Sequence, residues 1–196
     1  MNRRTASARL VILCAVFTPL RPLPAEVSQS RTRDGLIVEN DRISVLIRDG
    51  YHLEPALKKG GKSVSPVLSD PSGIPAFYLV AGDLPVTDFR IDWDRVKAEP
   101  VEDGGLGRGT RITLPAAAEQ YTKMLYAPLR IGASVELTFY DKFPAVIVAQ
   151  ATFTNLGQAR VEIDEAASLA FRLDRRRLDA EARPWEFASY QGAAVR

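Results

Sequence analysis

The sequence predicts an all-β fold, an antiparallel β-sandwich, on two observations. The first is residues 135–155, VELTFYDKFPAVIVAQATFTN, in which two strands flank a turn that contains Pro144. Both strands alternate apolar and polar side chains with a period of two, as half-buried strands do. The second is the recurrence of turn signals at about the 8–12-residue spacing of sandwiches and barrels, without the strand–helix alternation of a parallel sheet. The predicted core-facing residues of the hairpin are Val135, Leu137, Phe139, Ile147, Ala149, Ala151 and Phe153.

The first 25 residues have the layout of a secretory signal peptide. Three arginines precede an apolar run at residues 10–20, and Ala25 offers a small residue for cleavage. The apolar run is too short to span a bilayer. We therefore predict a signal peptide at residues 1–25, with an uncleaved anchor or a wrongly assigned start codon as the alternatives. Residues 26–196 are predicted to be a β-sandwich domain of a secreted or periplasmic protein.

The basic balance of the chain belongs to this predicted leader. Four of the 26 Lys and Arg residues and none of the 24 Asp and Glu residues lie in it, so the rest has 22 basic and 24 acidic residues and a formal net charge of −2. Neither nucleic acid nor a membrane surface is an expected partner after leader cleavage, because both select a basic protein surface. The only cysteine, Cys14, lies in the leader, so no disulfide is expected in the domain.

Further strands are predicted on both sides of the central hairpin. Residues 26–34 are polar and predict a frayed start. Alternation predicts strands at 35–40 and 42–48, and Asp49-Gly50 is a hairpin signal. The segment 51–70 is weaker and contains an exposed loop at 58–62. The remaining predicted elements are a buried strand at 74–81, an alternating strand at 86–93, a glycine-rich turn at 104–109, a short strand at 110–114, a helical turn within 115–126, a returning strand at 160–173 that places Leu169, Phe171 and Leu173 on one face, and an exposed charged segment at 174–183.

The sequence contains few candidates for catalysis or metal binding. His52 is the only histidine, so neither a metal site nor a triad with an imidazole base is favoured, and no cofactor is expected. The glycines at 104–109 lack the spacing of a phosphate loop and lead into a strand, which favours a hairpin loop. Glycoside hydrolysis uses two carboxylates about 5–10 Å apart. The two acidic groups that offer them also have the spacing of strand outer faces and turns; they are Asp88, Asp92 and Asp94, and Glu162, Asp164 and Glu165.

Aromatic residues near the end of the sequence suggest a contact with sugar. Trp185, Phe187 and Tyr190 lie close together, and aromatic rings stack on the apolar faces of sugars. The alternative is that Trp185 and Phe187 are core residues of a last strand, and the sequence favours this alternative.

Two stretches resemble the N-terminal domain of bacterial α-galactosidases of the melibiase type, which are large retaining glycosidases. The first is ELTFYDKFPAVIVAQATFTNLG at residues 136–157, followed by VEID at 161–164. The second is WEFASYQGA at residues 185–193, and VENDRISV at 38–45 is similar to the opening strand of these enzymes. The resemblance covers most of the chain after the leader and implies a β-supersandwich of the galactose-mutarotase-like kind.

In that family a (β/α)₈ barrel follows the sandwich and carries an aspartate nucleophile and an aspartate acid/base. The sequence to Arg196 has no counterpart of that barrel, and the family resemblance assigns no catalytic residue within it. Mutarotases of the same fold use several histidines, and the single histidine argues against that activity. The resemblance therefore implies a non-catalytic domain, incomplete at its C-terminal end or inactive alone, that supports a sugar site or assembly in a glycoside hydrolase acting on α-galactosides.

The expected partners are the missing catalytic barrel, a galactoside and a second copy in a homo-oligomer. The resemblance carries Trp185 and Gln191 over as substrate-side contacts, with Tyr190 beside them. Two other hypotheses stay open: a stand-alone carbohydrate-binding module that uses Trp185 and Tyr190, and a structural periplasmic sandwich without a ligand.

Overall fold

The computed structural model describes residues 6–12, 26–59, 62–65, 75–82, 84–121, 128–158 and 160–170. Two 3₁₀ turns, Asp49–Tyr51 and Trp93–Arg95, interrupt a chain of strands. No helix within these ranges is long and apolar enough to cross a membrane. The strands are β1 (Ala6–Ile12), β2 (Ser28–Thr32), β3 (Gly35–Glu39), β4 (Ile43–Arg48), β5 (His52–Lys59), β6 (Lys62–Val64), β7 (Phe77–Ala81), β8 (Leu84–Val86), β9 (Arg90–Ile91), β10 (Lys97–Asp103), β11 (Gly107–Gln120), β12 (Leu129–Tyr140), β13 (Ile147–Asn155) and β14 (Glu165–Ser168).

These strands form three sheets in which every pair of the described part is antiparallel. The largest has six strands in the order β1-β13-β12-β11-β10, and β9 also pairs with β11. A five-stranded sheet runs β2-β3-β4-β5-β6, and a three-stranded sheet runs β14-β7-β8. In the five-stranded sheet each strand pairs with the next along the chain, as short turns between antiparallel strands allow.

One hydrophobic core joins the three sheets. The buried faces of β3, β4 and β5 meet those of β7 and of the β11–β12–β13 part of the large sheet in a single cluster. Sheets that bury one face each against a common core form a sandwich-like arrangement. The predicted all-β, antiparallel, sandwich-like fold is therefore confirmed. Its largest fully buried side chains are Tyr51, Phe77, Phe89, Phe139, Ile47, Leu79, Ile112, Leu114, Ile131, Leu137, Val38 and Val45.

The hairpin predicted from residues 135–155 forms as β12 and β13. The two strands pair in the register Val135↔Ala151 and Leu137↔Ala149, which keeps apolar residues opposite each other on one face. All seven residues predicted to face the core are buried. The turn between the strands contains Pro144, whose missing N–H is not needed by a ladder there.

Asn40 ties the five-stranded sheet to the central hairpin. It follows β3, and its side-chain oxygen accepts hydrogen bonds from the backbone N–H groups of Arg42 and Ile43, which closes the predicted turn before β4. Its side-chain nitrogen donates to the carbonyl of Pro144 at 2.8 Å. One asparagine thus satisfies a tight turn and holds a second turn from the other layer.

Tyr51 makes a second link between the layers. Its hydroxyl donates to the backbone carbonyl of Leu114 on β11 at 2.7 Å, and the residue is fully buried. Its ring meets Phe77 edge-on, and Phe89 bridges Tyr51 to Phe153 with centroids 5.7 Å apart on both sides. Aromatic contacts of this kind add to the free energy gained from burial alone.

The frayed start predicted at residues 26–34 is wrong, because strand β2 forms there. All five residues of β2 are exposed, and the strand pairs with β3 from Ser28↔Glu39 to Thr32↔Gly35. Backbone pairing rather than side-chain burial holds this edge strand, and hydropathy patterns do not report backbone pairing. The weak segment after residue 51 is likewise a strand, β5, which completes the hairpin predicted at Asp49-Gly50.

The helical turn predicted within residues 115–126 is wrong at residues 116–120, because β11 continues to Gln120, and residues 122–126 lie outside the described chain. Ala116 and Ala117 pair with β12 on one side and with β9 on the other. The carbonyl of Pro115 accepts a hydrogen bond from the N–H of Asp92. The nitrogen of Pro115 points to the same side of β11 as this carbonyl, toward the interval between β9 and β10 where the chain leaves the sheet. A proline is tolerated at that point because no ladder donor is required of it.

Two further strand predictions are confirmed only in part. Within 86–93, Phe89 and Ile91 are buried as the alternation predicts, yet β8 ends at Val86, β9 has only two residues and the chain then turns at Trp93–Arg95. In the predicted strand at 160–173, β14 is short and ends before Leu169, which has a positive φ of 60°. Phe171 and Leu173 lie outside the described residues.

Strand β1 comes from within the predicted signal peptide. It runs antiparallel to β13 over seven residues, from Ala6↔Phe153 to Ile12↔Ile147, and it also lies beside β14. Export and cleavage after residue 25 stay predictions. Cleavage there would remove the strand that covers the edge of β13.

Candidate functional site

The residues predicted to contact sugar lie beyond the described chain. Trp185, Tyr190 and Gln191, together with Phe187, follow Ala170, which is the last described residue. Their assignment as substrate-side contacts therefore stays a prediction. The described part ends beside β7, where the N–H of Ala170 donates to the carbonyl of Ala76.

The other tryptophan, Trp93, has a structural role in the fold. It is partly buried against the core, and the guanidinium carbon of Arg31 lies 3.7 Å from the centre of its ring. A cation over the face of an indole is attracted by the ring electrons and covers the surface on which a sugar would stack. Sequence patterns missed this contact because Arg31 and Trp93 lie far apart in the chain.

The first acidic group lies on the surface of the described chain. Asp88, Asp92 and Asp94 are exposed, and Asp92 lies 3.8 Å from Arg95 in the same turn. No three His, Cys, Asp or Glu side chains within the described ranges come together as metal ligands. The neighbouring carboxylate that makes a structural contact is Asp49, which accepts from the N–H of Ile91 at 3.2 Å.

The second acidic group holds a loop in place. Asp164 accepts from the N–H of Gly82 at 2.6 Å, and Glu165 accepts from the hydroxyl of Tyr78 at 3.0 Å. The Glu165 hydrogen bond is the main reason that the pKa of Tyr78 is raised. These contacts join β14 to β7 and β8, while Glu162 is exposed. The interpretation of this spacing as that of strand outer faces and turns thus accounts for Asp164 and Glu165.

His52 begins β5, in the register position opposite Arg48. Burial, with a smaller contribution from the charge of Arg48, lowers the pKa of its imidazole. A neutral imidazole is able to act as a base, but a base needs a nucleophile or substrate within hydrogen-bond reach. The described surroundings of His52 are instead those of a hairpin, with Gly50 close to its ring.

The glycine-rich segment forms the hairpin loop predicted for it, between β10 and β11. The carboxylate of Asp103 accepts from the N–H groups of Gly105 and Leu106 at 2.8 and 2.9 Å. Those two donors are the kind that a phosphate loop would aim at an anion. In this loop they are used by the protein's own carboxylate.

A charged group on the outer face of the large sheet is a feature that sequence reasoning missed. The guanidinium of Arg111 on β11 lies 3.7 Å from Glu99 of β10 and 3.6 Å from Glu136 of β12. Both distances are longer than a hydrogen bond, and Nε of Arg111 makes none. Half-exposed cross-strand pairs of this kind contribute about 0.2–1 kcal/mol to stability. The group depends on strand register, which local sequence does not specify.

Comparison with protein-family models, with curated proteins and with solved structures finds no match to this chain. The likeness of residues 136–157 and 185–193 to α-galactosidase domains therefore stays an expectation from the sequence.

Proposed function

We propose that this chain is a non-catalytic β-sandwich domain of an α-galactosidase-like glycoside hydrolase, in which it supports the sugar site of a catalytic barrel. The proposal rests on the resemblance of its sequence and is supported by its antiparallel, sandwich-like fold. The observation that carries it is the use of Asp164 and Glu165, both candidates for glycoside chemistry, to hold β14 against β7 and β8. These hydrogen bonds account for the two carboxylates by a structural role.

The way in which the domain would meet its barrel follows from its layers. Its apolar sheet faces are used in its own core, and the outer face of the large sheet carries the charges of Arg111 and its partners. Contact with a sugar site would then come from the segment after Ala170. The resemblance places Trp185 and Gln191 there, where the sandwich of the family meets the barrel.

The experiment follows the two tryptophans separately. The full chain is titrated with methyl α-galactoside while its tryptophan emission is recorded, for the wild type, Trp93→Phe and Trp185→Phe. Because Arg31 covers the ring of Trp93, we expect the emission change to persist in Trp93→Phe and to vanish in Trp185→Phe. Trp93→Phe is the matched control, since it removes the only other tryptophan.

Three outcomes would overturn the proposal in different ways. A flat titration of the wild type would remove the substrate-side role of Trp185 and favour a structural sandwich. Hydrolysis of an aryl α-galactoside by the chain alone, with saturation kinetics, would show that the domain is itself catalytic. Tight binding of plant oligosaccharides in preference to galactosides would instead identify a stand-alone carbohydrate-binding module.

A further inference from the structure

Strand β13 lies inside the large sheet, and its sequence lacks the features that protect an edge strand. Each strand that lies at a sheet edge in the described part carries a charged residue or a proline, which discourages pairing with another chain. The examples are Arg31 in β2, Lys62 in β6, Pro85 in β8, Arg90 in β9, Lys97 and Pro100 in β10, and Glu165 in β14. The sequence of β13, IVAQATFTN, has neither. Its core-facing residues are at most 7 % exposed with β1 in place.

The strand that covers this edge comes from the predicted leader. β1 pairs with Ile147 to Phe153, and cleavage after Ala25 would remove it. The N–H and C=O groups that β1 satisfies would then be open along an uncharged strand, and such an edge pairs readily with another strand. The exported domain therefore needs a replacement for β1.

A second copy of β13 has the pattern of β1. In the register of β1, the position opposite Gln150 is Arg9, and apolar residues occupy alternate positions on either side of it. Two β13 strands related by a two-fold axis at Gln150 would place Ile147 opposite Phe153 and Ala149 opposite Ala151. Each core-facing residue then meets a core-facing residue, because directly opposite residues of an antiparallel pair share a face.

We propose that the exported domain forms a two-fold dimer through antiparallel pairing of β13 with β13 of a second copy, and that β1 blocks this pairing in the precursor. The dimer makes one continuous sheet from the two large sheets. It closes both open edges at once, as a symmetric interface does. The proposal concerns assembly and does not depend on the proposed sugar site.

Cysteine cross-linking tests the register. Cys14→Ser is introduced throughout, so that an added cysteine is the only thiol. At the two-fold axis the Cα atoms of two Gln150→Cys residues would be about 4.5–5.5 Å apart, which a disulfide spans. Thr152→Cys is the matched control on the same face of the same strand. Two such residues would lie roughly 13 Å apart, four residues along the strand, and would not be linked.

The full chain allows β1 to be released without truncation. Successive N–H groups of a strand point to opposite sides, so one of the N–H groups of Arg9 and Leu10 points to β13. The double substitution Arg9→Pro with Leu10→Pro therefore removes a hydrogen-bond donor to β13. We expect the full chain with intact β1 to be a monomer. The double-proline chain is expected to have twice the monomer mass by light scattering and to be linked through Gln150→Cys but not through Thr152→Cys.

A folded double-proline chain that stays monomeric, or that is linked equally through both positions, would overturn the proposal. Circular dichroism shows whether the chain is folded. If the prolines prevent folding, the chain recovered after leader cleavage gives the same test with the same two cysteine variants. A monomeric mass for that chain would also contradict the dimer.

Discussion

Tyr51 connects the two layers of the sandwich through one hydroxyl. The residue has a φ of 58°, unusual for a side chain of this size, and it follows Gly50 in the turn after β4. The turn directs the phenol across the core to the carbonyl of Leu114, where β11 pairs with Val135 of β12. The backbone strain is offset by burial of the ring and by this hydrogen bond.

Tyr51→Phe tests this link, since it removes only the hydroxyl. The buried hydrogen bond to the carbonyl of Leu114 would be lost, and we expect the free energy of unfolding to fall by about 0.5–1.5 kcal/mol. Urea denaturation measures the change. Tyr78→Phe is the control: its hydroxyl bonds Glu165 at the surface, and its loss should cost under about 0.5 kcal/mol. Equal losses in both variants would contradict the role given to Tyr51.

The same hydroxyl makes stability depend on alkaline pH. Burial raises the pKa of Tyr51 above its ordinary value of 10, and a backbone hydrogen bond with Val135 offsets part of this rise. Above about pH 10 the unfolded chain loses a proton that the folded chain keeps, so stability should fall as pH rises. The fall should be steeper in the wild type than in Tyr51→Phe by up to about 1.4 kcal/mol per pH unit. Parallel curves from urea denaturation would show that Tyr51 ionises in the folded protein.

Strand β11 shows what local sequence predicts and what it does not. Pro115 and three alanines indicate a helical turn when read alone, since alanine favours helix and proline suits a first turn. The sheet overrides this preference, because β12 supplies partners from Gly109 to Gln120 and β9 supplies them beside Ala116 and Ala117. The β12–β13 hairpin is predicted correctly from local sequence, because its apolar–polar alternation and its turn residues both indicate a hairpin.

Proline substitutions in β11 test this account of Pro115. Pro115→Ala should change the free energy of unfolding by less than about 1 kcal/mol, because the backbone at that position faces a gap in the ladder. Ala116→Pro should cost about 3 kcal/mol or more, since the next residue points to β12 and its N–H would be lost from that ladder. Urea denaturation of both variants gives the comparison. A larger loss for Pro115→Ala than for Ala116→Pro would show that the gap has been assigned to the wrong residue.

For the whole molecule, the sequence predicted the class of fold better than its assembly. Periodicity identified most core positions, because burial on one face of a strand leaves a local pattern. Sheet order, the edge strands β1 and β2, and contacts such as Arg31 with Trp93 depend on pairings between distant segments. Prediction of the candidate site from the sequence was limited in the same way. Asp164 lies at a bend and Glu165 begins β14, in keeping with the interpretation of their spacing as that of strand outer faces and turns, while Trp185, Tyr190 and Gln191 lie outside the described chain.

The proposal that this chain is the sandwich domain of a glycoside hydrolase has its sharpest test in the native product. The measurement is the intact mass of the protein isolated from its source, together with the reading frame beyond Arg196. We expect a product several hundred residues longer, with a strand–helix repeat that carries two aspartates at strand ends. A native product that ends at Arg196 would contradict the proposal, and the carbohydrate-binding and structural hypotheses would then replace it.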